Sequence, residues 1–166
     1  VGKTTLVNAL KELEQFKDYN FATERSQHLM SLGIPLNTDS TLKGQTVFLA
    51  ERCGELMHDN IITDRTILDV MAFTMNAKSI PHQDKEAFET YASEFIREYD
   101  YIFYISPYGL EIEDNGVRET DEHYRDLIDF TITTLIKRHG HKAGAIEKIS
   151  GSTEERIQQI LNVTKL

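Results

Sequence analysis

Gly2-Lys3-Thr4 combine a glycine, a cation and a hydroxyl in the order that suits a nucleotide's phosphates. A lysine there reaches the β- and γ-phosphates as a point charge, and the hydroxyl after it ligates Mg²⁺. The run V-G-K-T-T-L, from Val1 onward, reads as the closing half of the phosphate-binding pattern G-x-x-x-x-G-K-[ST]. Val1 and Gly2 would then line the loop and Thr5 would add a hydrogen bond to the α-phosphate. Leu6, Val7, Leu10, Leu13 and Phe16 follow at three-and-four spacing, so Gly2 to Phe16 reads as one helix. Unpaired N–H groups and a partial positive charge at its N-terminus favour an anion. The competing reading is an ordinary helix start with an exposed lysine. In the full pattern the first glycine would lie before Val1, preceded by a buried strand, so the expected domain is longer than the chain.

Asp64-Arg65 form the second pair, directly after the apolar run Asn60 to Thr63. In an open parallel sheet, ligands sit beyond the carboxyl ends of the strands, which places both side chains at a crevice. Asp64 would hold Mg²⁺ through a bound water or accept the proton of an attacking hydroxyl, and Arg65 would clamp the acceptor. A plain surface salt bridge is the alternative. Glu24 closes the stretch Tyr19 to Thr23 in the same way and would hydrogen-bond the acceptor. Arg118 and Arg125 stand seven residues apart around an acidic surface loop, Gly109 to Thr120, and would supply cations for the transferring phosphoryl. Against that stands simple pairing with Asp121, Glu122 or Asp129. His139 and His141 read as a solvated helix end rather than a metal site, and Cys53 as core packing.

These side chains need a scaffold, and the chain alternates short apolar runs with helical segments. Strands are expected at Tyr19 to Thr23, Asn60 to Thr63, Tyr101 to Ile105 and Gly144 to Ile149. Helices are expected from Ser40 through Leu56, from Ile67 to Met75, across Phe88 to Ile96, from Tyr124 to near Gly140, and after the capping box Ser152-Thr-Glu-Glu155. Crossovers this long argue for an α/β fold with a parallel sheet covered on both faces. The Tyr101 to Ile105 run is apolar throughout, as a doubly covered strand should be.

Composition sets outer bounds. The chain has 166 residues, the size of one domain, with 40% hydrophobic and 27% charged residues, which excludes collagen-like and disordered classes. Its 18 basic and 27 acidic residues leave a net charge of -9, the wrong sign for coating a nucleic-acid backbone. One cysteine allows no internal disulfide, and no apolar run reaches the ~18 residues of a membrane span, so the cytoplasm is the expected location.

The order of motifs resembles the small P-loop kinases, and within them the AAA-type ATPase/kinase domains related to the nicotinamide-riboside kinase portion of NadR. V-G-K-T-T-L, G-I-P-L-N-T-D-S-T followed by Gln45, I-I-T-D-R-T-I-L-D-V, N-G-V-R-E-T-D-E-H-Y-R and I-S-G-S-T-E-E-R carry the likeness, which spans almost the whole chain. It implies a P-loop NTPase three-layer sandwich over 1–166 with a central parallel sheet whose first strand lies outside the sequence. It also implies ATP with Mg²⁺, and transfer of the γ-phosphoryl group to a nucleoside, nucleotide or related small molecule. Lys3 and Thr4 map to the phosphate loop, Asp64 and Arg65 to the Asp-Arg motif, Arg118 to the lid, and Gly151 and Ser152 to the segment that passes the nucleotide base. One departure stands out: relatives often carry Glu-x-x-Arg after the second strand, whereas Arg25 follows Glu24 directly and position 27 is Gln27. An ATPase or nucleotide switch without an acceptor is the alternative. It is disfavoured because the Tyr101 to Ile105 strand ends in Ser106-Pro107 rather than an acidic pair.

Overall fold

The computed structural model describes residues 2–23, 26–108 and 121–166, with backbone alone at 26 and 27. Elements follow in the order α1 (Lys3–Lys11), β1 (Asn20–Ala22), α2 (Ser26–Ser31), α3 (Leu42–Glu55), β2 (Ile61–Thr63), α4 (Ile67–Met75), α5 (His82–Ser93), β3 (Tyr101–Ile105), α6 (Glu122–His139), β4 (Ala145–Ile149) and α7 (Thr153–Thr164). Short 3₁₀ turns fill several of the connections. Both strand pairings are parallel: β1 runs beside β2 with Phe21 opposite Ile62, and β3 beside β4 with Phe103 opposite Lys148's neighbour Glu147.

Helices cover the strands on two sides. On one side α3, α4, α5 and α6 build the larger core around Ile67, Leu68, Met71, Ile96 and Leu135, joined by Ile102 of β3 and Ile146 of β4. On the other, α1 and α7 pack Leu6, Leu10 and Ile160 with Phe16 and Ile149, against Phe21, Ile62, Phe103 and Ile105. Ile102 facing one layer while Phe103 faces the other is the two-residue alternation of a strand covered on both faces.

The helix ends show why these segments fold where they do. Thr66 caps α4 reciprocally with Asp69, and Ser152 caps α7 reciprocally with Glu155. The Asp121 side chain accepts from the His123 N–H at the start of α6, whose last turn is basic, as the helix dipole favours.

The structure departs from sequence expectation in three places. The first helix ends at Lys11, not Phe16: Leu13 is extended, and a 3₁₀ turn from Glu14 to Phe16 swings the Phe16 ring into the cluster of Leu6 and Leu10. Apolar spacing alone cannot register such a break, because the same face is buried either way. The expected central sheet is instead two separate parallel pairs, β1-β2 and β3-β4. Between them lies a cleft of about 590 Å³, lined by Ile61–Thr63 of β2 and by all of β3. Because β3 borders that cleft, only Ile102 of its five residues is fully buried. Finally, His139 is no solvated helix end. Its Nε2 lies 2.8 Å from Glu89 Oε1, which Arg138 also contacts, and the two basic partners hold the Glu89 carboxyl below its usual range despite the opposing effect of burial.

Cys53 packs on the larger core, and burial pushes its thiol pKa up, which suits packing rather than nucleophilic chemistry. Among the described residues no helix is long and apolar enough to cross a membrane. The expected loop from 109 to 120 lies outside the described residues.

Candidate active site

Gly2 opens α1 with φ of 72°, a left-handed conformation that favours glycine. Two residues on, the Thr4 hydroxyl donates a 2.9 Å hydrogen bond to Asp64 Oδ2, joining positions 60 residues apart. Asp64 extends the β2 ladder by one step, its N–H donating to the Ala22 carbonyl at 3.2 Å. The end of the strand therefore delivers this carboxylate to the start of the helix. It is only 4% exposed, and its second oxygen, Oδ1, is buried without a hydrogen-bond partner among the described residues. An orphaned anionic oxygen is costly in a protein interior unless something cationic meets it.

Lys3 lines the cleft beside this acid. Burial lowers its pKa, the neighbouring Arg65 charge lowers it further, and Asp69 and Asp64 oppose the shift. A phosphate arriving here would relieve a cation now penalised by both desolvation and a like charge.

Arg65 is held from several sides. Its Nη1 lies 3.4 Å from Asp69 Oδ1, and its guanidinium sits over the Phe73 ring, 5.5 Å from the centroid. The other Asp69 oxygen accepts from the Thr66 N–H at 2.8 Å and contacts the Thr66 hydroxyl at 3.3 Å. Asp69 thus caps α4 and orients Arg65 at once. Sequence reasoning missed it, although Thr66-x-x-Asp69 before an apolar run is a capping pattern legible in the chain.

Arg125 enters from α6. It borders the same cleft as Lys3, Asp64 and Arg65, and pairs with Asp126 at 3.4 Å rather than with the acids expected to compete for it. Asp129, one of those acids, instead accepts from the Tyr104 hydroxyl. Lys3, Asp64, Arg65 and Arg125 therefore border one cleft, and Thr4 is tied to it through Asp64. Thr5 is exposed on the first turn of α1. Gly151, with φ of 94°, and Ser152 precede α7 outside the cleft lining, and the Ser152 hydroxyl and N–H are both engaged with Glu155. Val1, Glu24 and Arg118 lie outside the described residues. Among the described residues no cluster of three or more His, Cys, Asp or Glu side chains could hold a metal ion alone.

A glycine-lysine-threonine helix start hydrogen-bonded to a strand-exit acid is the arrangement of a P-loop domain, and a family model described as an AAA domain matches residues 1–156. The chain belongs to the AAA domain family. The fold of this AAA domain is similar to that of a solved structure described as deoxyadenosine kinase from M. mycoides with the products dCMP and a flexible dCDP bound. The TM-score is 0.65 at 17% identity, with 99% of this chain and 93% of that chain covered. No curated protein matches the AAA domain by sequence.

Proposed function

We propose that the protein is an ATP-dependent small-molecule kinase that moves the γ-phosphoryl group of ATP onto a hydroxyl of a nucleoside, nucleotide or related compound. The observation that carries this reading is the Thr4–Asp64 hydrogen bond, which couples the phosphate-loop hydroxyl to an acid beside Lys3 and Arg65. Lys3 binds the β- and γ-phosphate oxygens. Val1, Gly2 and Thr5 supply further loop contacts, and Gly151 with Ser152 borders the base.

The residues fit Mg²⁺. Asp64 offers one carboxylate with an oxygen still unpartnered, and Thr4 offers a hydroxyl, a small set suited to an ion that takes its remaining ligands from phosphates and water. When bound, the ion neutralises charge on the β- and γ-oxygens.

In the transfer, the acceptor oxygen forms a bond to the γ-phosphorus while the bond from that phosphorus to the β,γ-bridging oxygen breaks. ADP leaves with the electron pair, and the acceptor's proton passes to a carboxylate at the strand ends, Glu24 or Asp64. Arg65, already oriented by Asp69, positions the acceptor. Arg125 and Arg118 stabilise charge on the moving group.

The cleft between the two strand pairs supports one more element. The edge of β2 away from β1 and the edge of β3 away from β4 both border it, under apolar side chains of α1, α6 and α7. We propose that a further parallel strand runs through this cleft and turns into the loop at Gly2, completing one central sheet and the first half of the phosphate loop. Amide exchange at Thr63 and Phe103, whose N–H groups alternate with those turned toward β1 and β4 and so face the cleft, is then slowed in the full-length protein to the rate of core strand positions. Fast exchange at both would contradict the proposal.

Nucleosides and deoxynucleotides head the acceptor panel, because the structural neighbour is described with dCMP and dCDP. Chromatography of reactions containing ATP, Mg²⁺ and each acceptor, nicotinamide riboside included, is expected to show one acceptor class converted to its phosphate. No phosphorylated acceptor across the panel, with ATP bound, would overturn the kinase reading.

A further inference from the structure

The opening turn of α7 carries a second cation against the phosphate loop. Arg156 is 7% exposed, and among the described residues its guanidinium forms no ion pair, while its Nε is buried without a hydrogen-bond partner. Its Nη1 would lie 3.1 Å from a Cβ built on Gly2, so the guanidinium is packed directly against the residue that precedes Lys3. That placement is rigid. Arg156 sits one residue beyond the Ser152–Glu155 capping box, its own N–H bonded to the Ser152 carbonyl at 3.0 Å, and α7 packs along α1 through Ile160 against Leu6 and Leu10.

Burying a guanidinium with no counter-charge is unfavourable. Arg156 and the α1 N-terminus place two potentials of the same sign at one glycine, an unfavourable pairing in the free protein. An anion bound at the loop reverses the sign of that interaction. A neutral base or ribose would satisfy a donor but leave the charge unpaired, so the chemistry selects phosphate oxygens.

We infer that Arg156 is a further cation of the nucleotide-phosphate site, holding the polyphosphate from the α7 side while Lys3 holds it from the loop. This rests on the nucleotide-site reading above and adds a residue to it. Two ligands separate phosphate recognition from base recognition: ATP, and inorganic tripolyphosphate, which has no base or sugar. For the full-length protein, Arg156→Gln is expected to raise the Kd of both by about tenfold or more, the scale of one lost charge-assisted hydrogen bond, and Arg156→Lys to recover part of the loss.

Melting temperatures of the free variants separate binding from folding, and the lysine variant provides a measurement if the glutamine variant does not fold. Weaker ATP binding with unchanged tripolyphosphate binding would overturn the inference in favour of base recognition. Unchanged Kd values for both ligands, with a lowered melting temperature, would overturn it in favour of a packing role. Wild-type protein that binds neither ligand would remove the nucleotide site itself. Loss of binding in Lys3→Met but not in Arg156→Gln would leave that site standing and remove only Arg156 from it.

Discussion

Lys3→Met abolishes phosphoryl transfer, lowering kcat/KM by about 10³-fold, while leaving the protein at least as stable as wild type. The size follows from losing a preorganised charge at the β- and γ-phosphates, where a single stabilising donor is worth about 10²–10³ in rate and a full cation more. The stability half of the prediction comes from the free protein's electrostatics. Burial and Arg65 both disfavour the charged ammonium, so removing it relieves a penalty, and methionine keeps the apolar stem. Steady-state kinetics with the acceptor, paired with a thermal melt, checks both halves. Full activity in the methionine variant would remove Lys3 from the site, and a large drop in melting temperature would make it a structural residue.

Asp64→Asn has the second-largest effect. The substitution keeps the shape and an oxygen to accept from Thr4, but removes the charge that the buried, unpartnered Oδ1 would present to Mg²⁺. Activity is expected to fall by about 10²-fold or more, with the residual rate saturating only at higher Mg²⁺. Folding stability should change little or improve, since a buried carboxylate without full compensation contributes poorly to it. A magnesium titration of initial rates distinguishes this from a packing effect. An unchanged magnesium dependence together with wild-type activity would exclude Asp64 from the metal site.

Both candidates were legible in the sequence because the proposed chemistry is local. Gly-Lys-Thr ahead of an amphipathic run, and Asp-Arg after a short β-branched run, need no knowledge of distant partners. Helix α4 was legible for the same reason, since apolar spacing from Ile67 to Met75 matches its observed limits.

Features that depend on contacts across the fold were not. Leu13's extended backbone ends α1 early, yet Phe16 stays on the buried face, so periodicity is preserved while the helix is not. His139 at a helix end reads as solvated until α5 brings Glu89 beneath it. Arg156 in Glu-Glu-Arg reads as an ordinary charged helix face, and only the packing of α7 on α1 turns it inward against Gly2. The net charge of -9 gave no hint of this, because it says nothing of where single cations sit: Lys3, Arg65 and Arg125 border the cleft and Arg156 packs against Gly2.

The most direct test of phosphoryl transfer follows the γ-phosphoryl group itself. With γ-labelled ATP, Mg²⁺ and the best acceptor of the panel, the full-length protein is expected to place the label on the acceptor, one per ADP formed. Label recovered only as inorganic phosphate, with ADP formed and the acceptor unchanged, would contradict the kinase account and make the protein an ATPase.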